Sequence, residues 1–255
     1  MAGDSGQVVW NTQRFQRRMR FGRIVRPNFE TGCPMPLSAP LRALIVALLL
    51  APPWARAAEP SVAEVAAAVL AYESGRLDEA RAAFGRLSAA GSPLADYNLA
   101  VMHLRGEMPN SSVAEAERLL RRAAEHGFVT AMYTLGQFFE SGQRGKPDLV
   151  QANVWYERSA LAGSVDGQVA IGTAYYLGRG APKDSVQAAR WYREAAKGGD
   201  VGAQYLIASM YEQGDGVERD LRLARYWYAV AAANRDEAAP DKVKEIDARL
   251  AAEPS

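Results

Sequence analysis

A stride of 36 residues constrains this chain more than any other feature. Ala131-Met-Tyr-Thr-Leu135-Gly136 returns as Gly167-Gln-Val-Ala-Ile171-Gly172 and again as Ala203-Gln-Tyr-Leu-Ile207-Ala208. It also stands one stride earlier as Ala95-Asp-Tyr-Asn-Leu99-Ala100. Other columns keep the same register: turn glycines at Gly106, Gly142, Gly178 and Gly214, and alanines at Ala80, Ala116, Ala152, Ala188 and Ala224. Trp155, Trp191 and Trp227 obey it too, each followed by a tyrosine, Tyr156, Tyr192 and Tyr228. Such a period implies repeated supersecondary units that bury their apolar faces against one another.

Each unit reads as two helices joined by a glycine-bearing loop. Helix A is expected over roughly 95–105, 131–141, 167–177 and 203–213. Its small residues allow a neighbouring helix to come close. The loop carries Gly178-Arg-Gly180 and Gly214-Asp-Gly216, where glycine supplies a positive φ without a Cβ clash. Helix B is expected to start at Asp148, Asp184 and Asp220, or at Ser112 in the earlier unit. These are residue types whose oxygens accept from free N–H groups of a first turn. Ser112 and Glu115 have capping-box spacing. The helix is expected to close at Gly127, Gly163 and Gly199 in left-handed conformation. Within it Ala188, Trp191, Tyr192, Ala195 and Ala196 fall on one face. The tryptophans and their tyrosines are therefore read as the core of the repeat.

The ends depart from the pattern, as terminal repeats do. Residues 58–94 read as a hairpin with a short loop around Gly75, and residues 239–255 as a capping helix. Between them lie four repeats, 95–130, 131–166, 167–202 and 203–238. Arg235 stands where the last closing glycine is due.

The first 57 residues differ in kind. They carry eight arginines and two acids, Asp4 and Glu30, leaving 22 basic against 27 acidic groups in the body. The apolar run Ala43–Ala51 is too short to span a bilayer, which needs about 20 residues. With Arg42 before it and Ala55-Arg56-Ala57 after it, residues 35–57 read as a signal peptide starting at Met35 and cleaved after Ala57. Residues 1–34 are then an over-extended start, or else an arginine-rich extension. The chain is expected to be exported, periplasmic, with no stable membrane insertion after cleavage; an uncleaved N-terminal anchor is the alternative. The single cysteine, Cys33, lies in this leader.

The body offers little chemistry. His103 and His126 occupy unrelated columns, and neither a Cys–His pair nor a phosphate-binding loop is present. No catalytic residue, metal site or cofactor is expected, and the absence of a basic stripe argues against nucleic acid.

Residues 167–199 carry Ile171-Gly172, Tyr175, Gly178, Gly180, Asp184, Ala188, Trp191-Tyr192, Ala195-Ala196 and Gly199. This pattern resembles the Sel-one-like repeat family, a branch of the tetratricopeptide-like helical hairpins. The resemblance holds well over 203–233, less well over 131–163 and loosely over 95–127. It implies an all-α, α/α right-handed superhelix that binds another protein. Some cysteine-rich relatives are linked to β-lactam hydrolysis or binding; this body lacks their cysteines and has no Ser-x-x-Lys, so no enzyme is expected, a hydrolase of that type being the disfavoured alternative. The family's groove columns fall on Tyr97, Val101 and Arg105; on Tyr133, Gln137 and Glu140; on Val169, Thr173 and Tyr176; and on Tyr205, Ser209 and Glu212. Tyr97, Tyr133 and Tyr205 either form an aromatic strip toward a partner or pack between adjacent units. A sensor kinase or an envelope complex are the partners the resemblance permits, with a scaffold or regulator role in the first case and an assembly role in the second.

Overall fold

A computed structural model describes residues 61–252, and the leader with Cys33, Met35 and the Ala57 cleavage point lies outside them. Eleven α-helices and no strand appear among the described residues. They fall into two compact units that part between Ser111 and Ser112.

The first unit holds α1 (Val62–Glu73), α2 (Leu77–Ala89) and α3 (Pro93–Leu104). Ser61 and Glu64 form a reciprocal capping box that starts α1. The α1–α2 hairpin packs around Val69, Phe84 and Leu87, and α3 lies against α2. Tyr72 donates to Glu107 at 2.9 Å and accepts from Arg105 Nη1 at 2.6 Å.

The second unit is a run of hairpins: α4 (Val113–Glu125), α5 (Val129–Glu140), α6 (Leu149–Leu161), α7 (Val165–Leu177), α8 (Ser185–Lys197), α9 (Val201–Gln213), α10 (Leu221–Ala233) and α11 (Ala239–Ala252). Each helix packs on the next in chain order, which is the arrangement of a helical repeat solenoid. The B helices begin where expected. Side chains of Ser112, Asp148, Asp184 and Asp220 each accept from a backbone N–H of the first turn. A cap of this kind stabilises a helix by about 1 kcal/mol.

The A helices begin about two residues earlier than the repeated motif alone suggested. Ser164 and Asp200 cap α7 and α9 through Gly167 N and Ala203 N. These caps sit directly after the closing glycines, so one short link ends helix B and starts helix A. Gly163 N reaches Ala160 O at 3.0 Å and Ser164 N reaches Ser159 O at 2.9 Å, a Schellman closure with Gly163 at φ 89°. The same pair of bonds closes α10, but with Arg235 at φ 69° in place of glycine.

Close approach explains two other glycines. A Cβ on Gly136 would enter the Tyr156 ring, and one on Gly216 would run into the Ser185 backbone. The first lets helix B lean on helix A within a hairpin. The second, like Gly180 against Leu149, seats its loop on the start of the preceding B helix. Trp155 and Trp191 are buried, each 4% exposed, whereas Trp227 is only half-buried, edge-on to Tyr226. Tyr156, Tyr192 and Tyr228 are all buried.

The capping helix α11 stands at an A-helix station. Its buried Ala239 lies one stride after Ala203, and its buried Ile246 one stride after Met210. The sequence pattern placed a cap here without assigning that station.

Candidate partner-binding site

The groove columns of the second unit come from α5, α7 and α9. Their tyrosines are half-buried and lean on the B-helix tyrosine of the same hairpin. Ring centres are 5.6 Å apart for Tyr133 and Tyr156, 6.3 Å for Tyr176 and Tyr192, and 5.0 Å for Tyr205 and Tyr228. Packing is thus inside one hairpin, with part of each A-helix ring left uncovered. A ring fixed from behind loses little freedom on meeting a partner, which is what makes tyrosine effective at interfaces.

Tyr97 is a correction. It is 1% exposed, a core side chain of α3, and presents no ring to a partner. Its neighbours Leu99, Ala100, Val101 and Met102 are buried as well, so no face of that part of α3 is left over for a groove. Arg105 is exposed at the end of α3 but is engaged by Tyr72.

Glu140 and Glu212 are the second departure. Tyr156 donates to Glu140 at 2.7 Å, and Arg179 pairs with its other oxygen at 3.1 Å. Tyr228 donates to Glu212 at 2.9 Å, and Arg249 of α11 pairs with it at 2.7 Å, with Lys242 at 3.5 Å. Both carboxylates are therefore satisfied inside the protein by a tyrosine of their own hairpin and a cation from the following one. Burial, reinforced by the carboxylate, raises the Tyr156 and Tyr228 hydroxyls well above the ordinary tyrosine range.

The middle hairpin solves the same problem without charge. Thr173 shares a 3.0 Å hydrogen bond with the Tyr192 hydroxyl, and Tyr176 stands where the glutamates stand. Burial pushes Tyr192 up to about 12, while the hydrogen bond to Thr173 pulls the other way. Lys183 lies 5.5 Å from the Tyr176 ring centre. Gln137 donates to the Tyr133 hydroxyl at 3.3 Å, and Ser209 accepts from Gln213.

What remains toward solvent is an aromatic and polar strip with its acids neutralised. Nothing in it pairs a nucleophile with a base. Among the described residues no cluster of histidine, cysteine and carboxylate could hold a metal ion, and no helix is long and apolar enough to cross a membrane.

The family model for the Sel1 repeat matches residues 93–128, 129–164, 165–200 and 201–236. Its repeats begin two residues before the expected ones, in agreement with where the A helices start. A solved Sel1 repeat protein from Oxalobacter formigenes is 30% identical, with a TM-score of 0.60 over 66% of this chain and 49% of its own. A protective antigen of uropathogenic Escherichia coli with an SLR fold is likewise 30% identical, TM-score 0.60, over 66% of this chain and 36% of its own. The chain thus spans half or less of those solved relatives. No curated protein matches it. Sel1 repeat proteins generally mediate contacts between proteins and are generally not enzymes. With four consecutive matches across the larger part of its length, the chain belongs to the Sel1 repeat family.

Proposed function

We propose that the protein is an exported, periplasmic scaffold or regulator that holds a partner protein along the strip formed by Tyr133, Gln137, Tyr176 and Tyr205. The observation that carries this reading is the bracing of each A-helix tyrosine by a B-helix tyrosine behind it, with its own face partly uncovered. Because Glu140 and Glu212 are already neutralised, the strip favours an uncharged, apolar or hydroxyl-bearing segment over a strongly basic one. Glu140 and Glu212 act as supports in this reading.

The test is capture of the partner by wild type and by a Tyr133→Ala/Tyr205→Ala double variant, with melting followed in parallel. Loss of at least tenfold in affinity with retained cooperative unfolding is expected. Equal affinity in a folded variant removes the strip from consideration. Export is checked separately by N-terminal sequencing of protein from the envelope fraction, with Ala58 as the expected first residue.

A further inference from the structure

We infer that the α1–α2 hairpin carries a docking notch for an aromatic side chain, an indole above all, presented by a partner protein. This surface uses none of the residues of the tyrosine strip. A hollow of about 300 Å³ opens between α1 and α2. Its floor is made of small apolar groups, Ala67 and Ala71 on α1 and Ala83 and Leu87 on α2. That volume lies at the bottom of the range for small-molecule sites and suits one inserted side chain.

The repeat itself says which side chain is missing. Ala83 lies at the tryptophan column: the later residues at that station are Leu119, Trp155, Trp191 and Trp227. Across from it, with Gly75 of the shorter loop matched to Gly142, a spacing of 67 residues, Ala67 and Ala71 correspond to Thr134 and the buried Phe138 of α5. Three residues after the tryptophan station stand Arg86, Arg122 and Arg158, and then Glu194 and Val230. Arg86 is two strides before Arg158, whose guanidinium lies 4.6 Å from the Trp155 ring centre. The first hairpin thus keeps the cation and lacks the ring. Arg86 is exposed, and the charge of Glu64, on the same hollow, attracts it.

The charges complement an indole. A guanidinium is attracted to the negative face of an aromatic ring, and tryptophan is the strongest such partner. Glu64 and Glu79 also line the hollow; one oxygen of each is bound, to Ser61 at 2.9 Å and to Arg76 at 2.6 Å, and the other can accept the ring N–H. The Ser61 backbone N–H, then the Ser61 hydroxyl, hold the Glu64 carboxyl below its usual range, so it is anionic at neutral pH. Within the described residues no tryptophan is free to supply the ring to a second copy, because Trp155 and Trp191 are buried and Trp227 is packed edge-on to Tyr226. The ring is therefore not supplied by the described residues.

The full chain is titrated with N-acetyl-L-tryptophanamide while alanine methyl signals are followed by NMR. Saturable shifts at Ala67, Ala71 and Ala83 are expected. In Arg86→Met the midpoint should rise about threefold. In Ala83→Trp, which places an indole at its repeat station, the response should vanish and the melting temperature should rise. If that variant does not fold, Ala83→Leu fills the same space for the same readout. Absence of saturation at those methyls, or an unchanged response after filling the notch, overturns the inference. Shifts that appear on concentrating the protein alone would assign the notch to a second copy. A response seen only after Trp54→Ala would assign it to the chain's own leader. Either result also overturns the partner reading.

Discussion

Repeats 165–200 and 201–236 have the same stride, the same cap positions and the same loop glycines, yet they close their polar groups differently. In the first, Tyr192 meets a threonine; in the second, Tyr228 meets a carboxylate shared with α11. In the first, Gln168 donates to Ala160 O but its own carbonyl oxygen has no donor; in the second, the equivalent Gln204 donates to Ala196 O and accepts from Asn234 at 3.0 Å. In the first, glycine takes the left-handed closing position; in the second, Arg235 does. Trp191 is buried and Trp227 is not fully covered. The lesson is that the backbone path and the small apolar stations are common property, set by how helices approach. Hydrogen-bond closure is solved repeat by repeat, and differences in stability should follow it.

The largest test of that division is the tryptophan pair. Trp191→Ala should cost about 4 kcal/mol in urea denaturation and Trp227→Ala about half of it, because less of that ring leaves water. Equal losses would mean the two stations are equivalent after all.

Alkaline unfolding comes next. Tyr192 is raised on folding to about 12 from 10.0, so its buried neutral hydroxyl contributes fully below the unfolded value and is lost as pH rises from about 10 through about 12. The loss should reach about 3 kcal/mol. Tyr228, held higher by burial and by its hydrogen bond to Glu212, should ionise after Tyr192. Glu212→Gln should narrow the gap, as read by tyrosinate absorbance.

A smaller effect separates the two glutamines. Asn234→Ala leaves the Gln204 carbonyl oxygen buried without its donor and should lower stability by about 1–2 kcal/mol. The smallest has the opposite sign. Arg235→Gly removes a Cβ from the left-handed region and should stabilise by about 0.5–1 kcal/mol, visible as a higher denaturation midpoint.

The B-helix caps and the closing glycines were legible because cap and turn chemistry depends on residue type at a fixed offset. Asp148, Asp184 and Asp220 each do what their position implied. The A-helix starts were harder to place, because Ser164 and Asp200 alternate in type and α5 begins after Phe128 with no side-chain cap. The groove columns were legible only as columns. Whether a tyrosine at that place is core, like Tyr97, or half-open, like Tyr133, depends on what packs over it from other helices. The pairing of Glu140 with Arg179 and of Glu212 with Arg249 joins residues 39 and 37 apart, near the stride without matching it, so counting columns does not reveal them.

Lys244 occupies, on α11, the station held by Gly136, Gly172 and Ala208, where the absence of a long side chain admits the aromatic ring of a companion helix. It points to solvent and pairs with Asp241 at 2.9 Å. A designer wishing to lengthen the array would find the docking port plugged at this one position. Grafting another module would first require a small residue there, and a lysine so placed acts as a full stop in the grammar of the repeat.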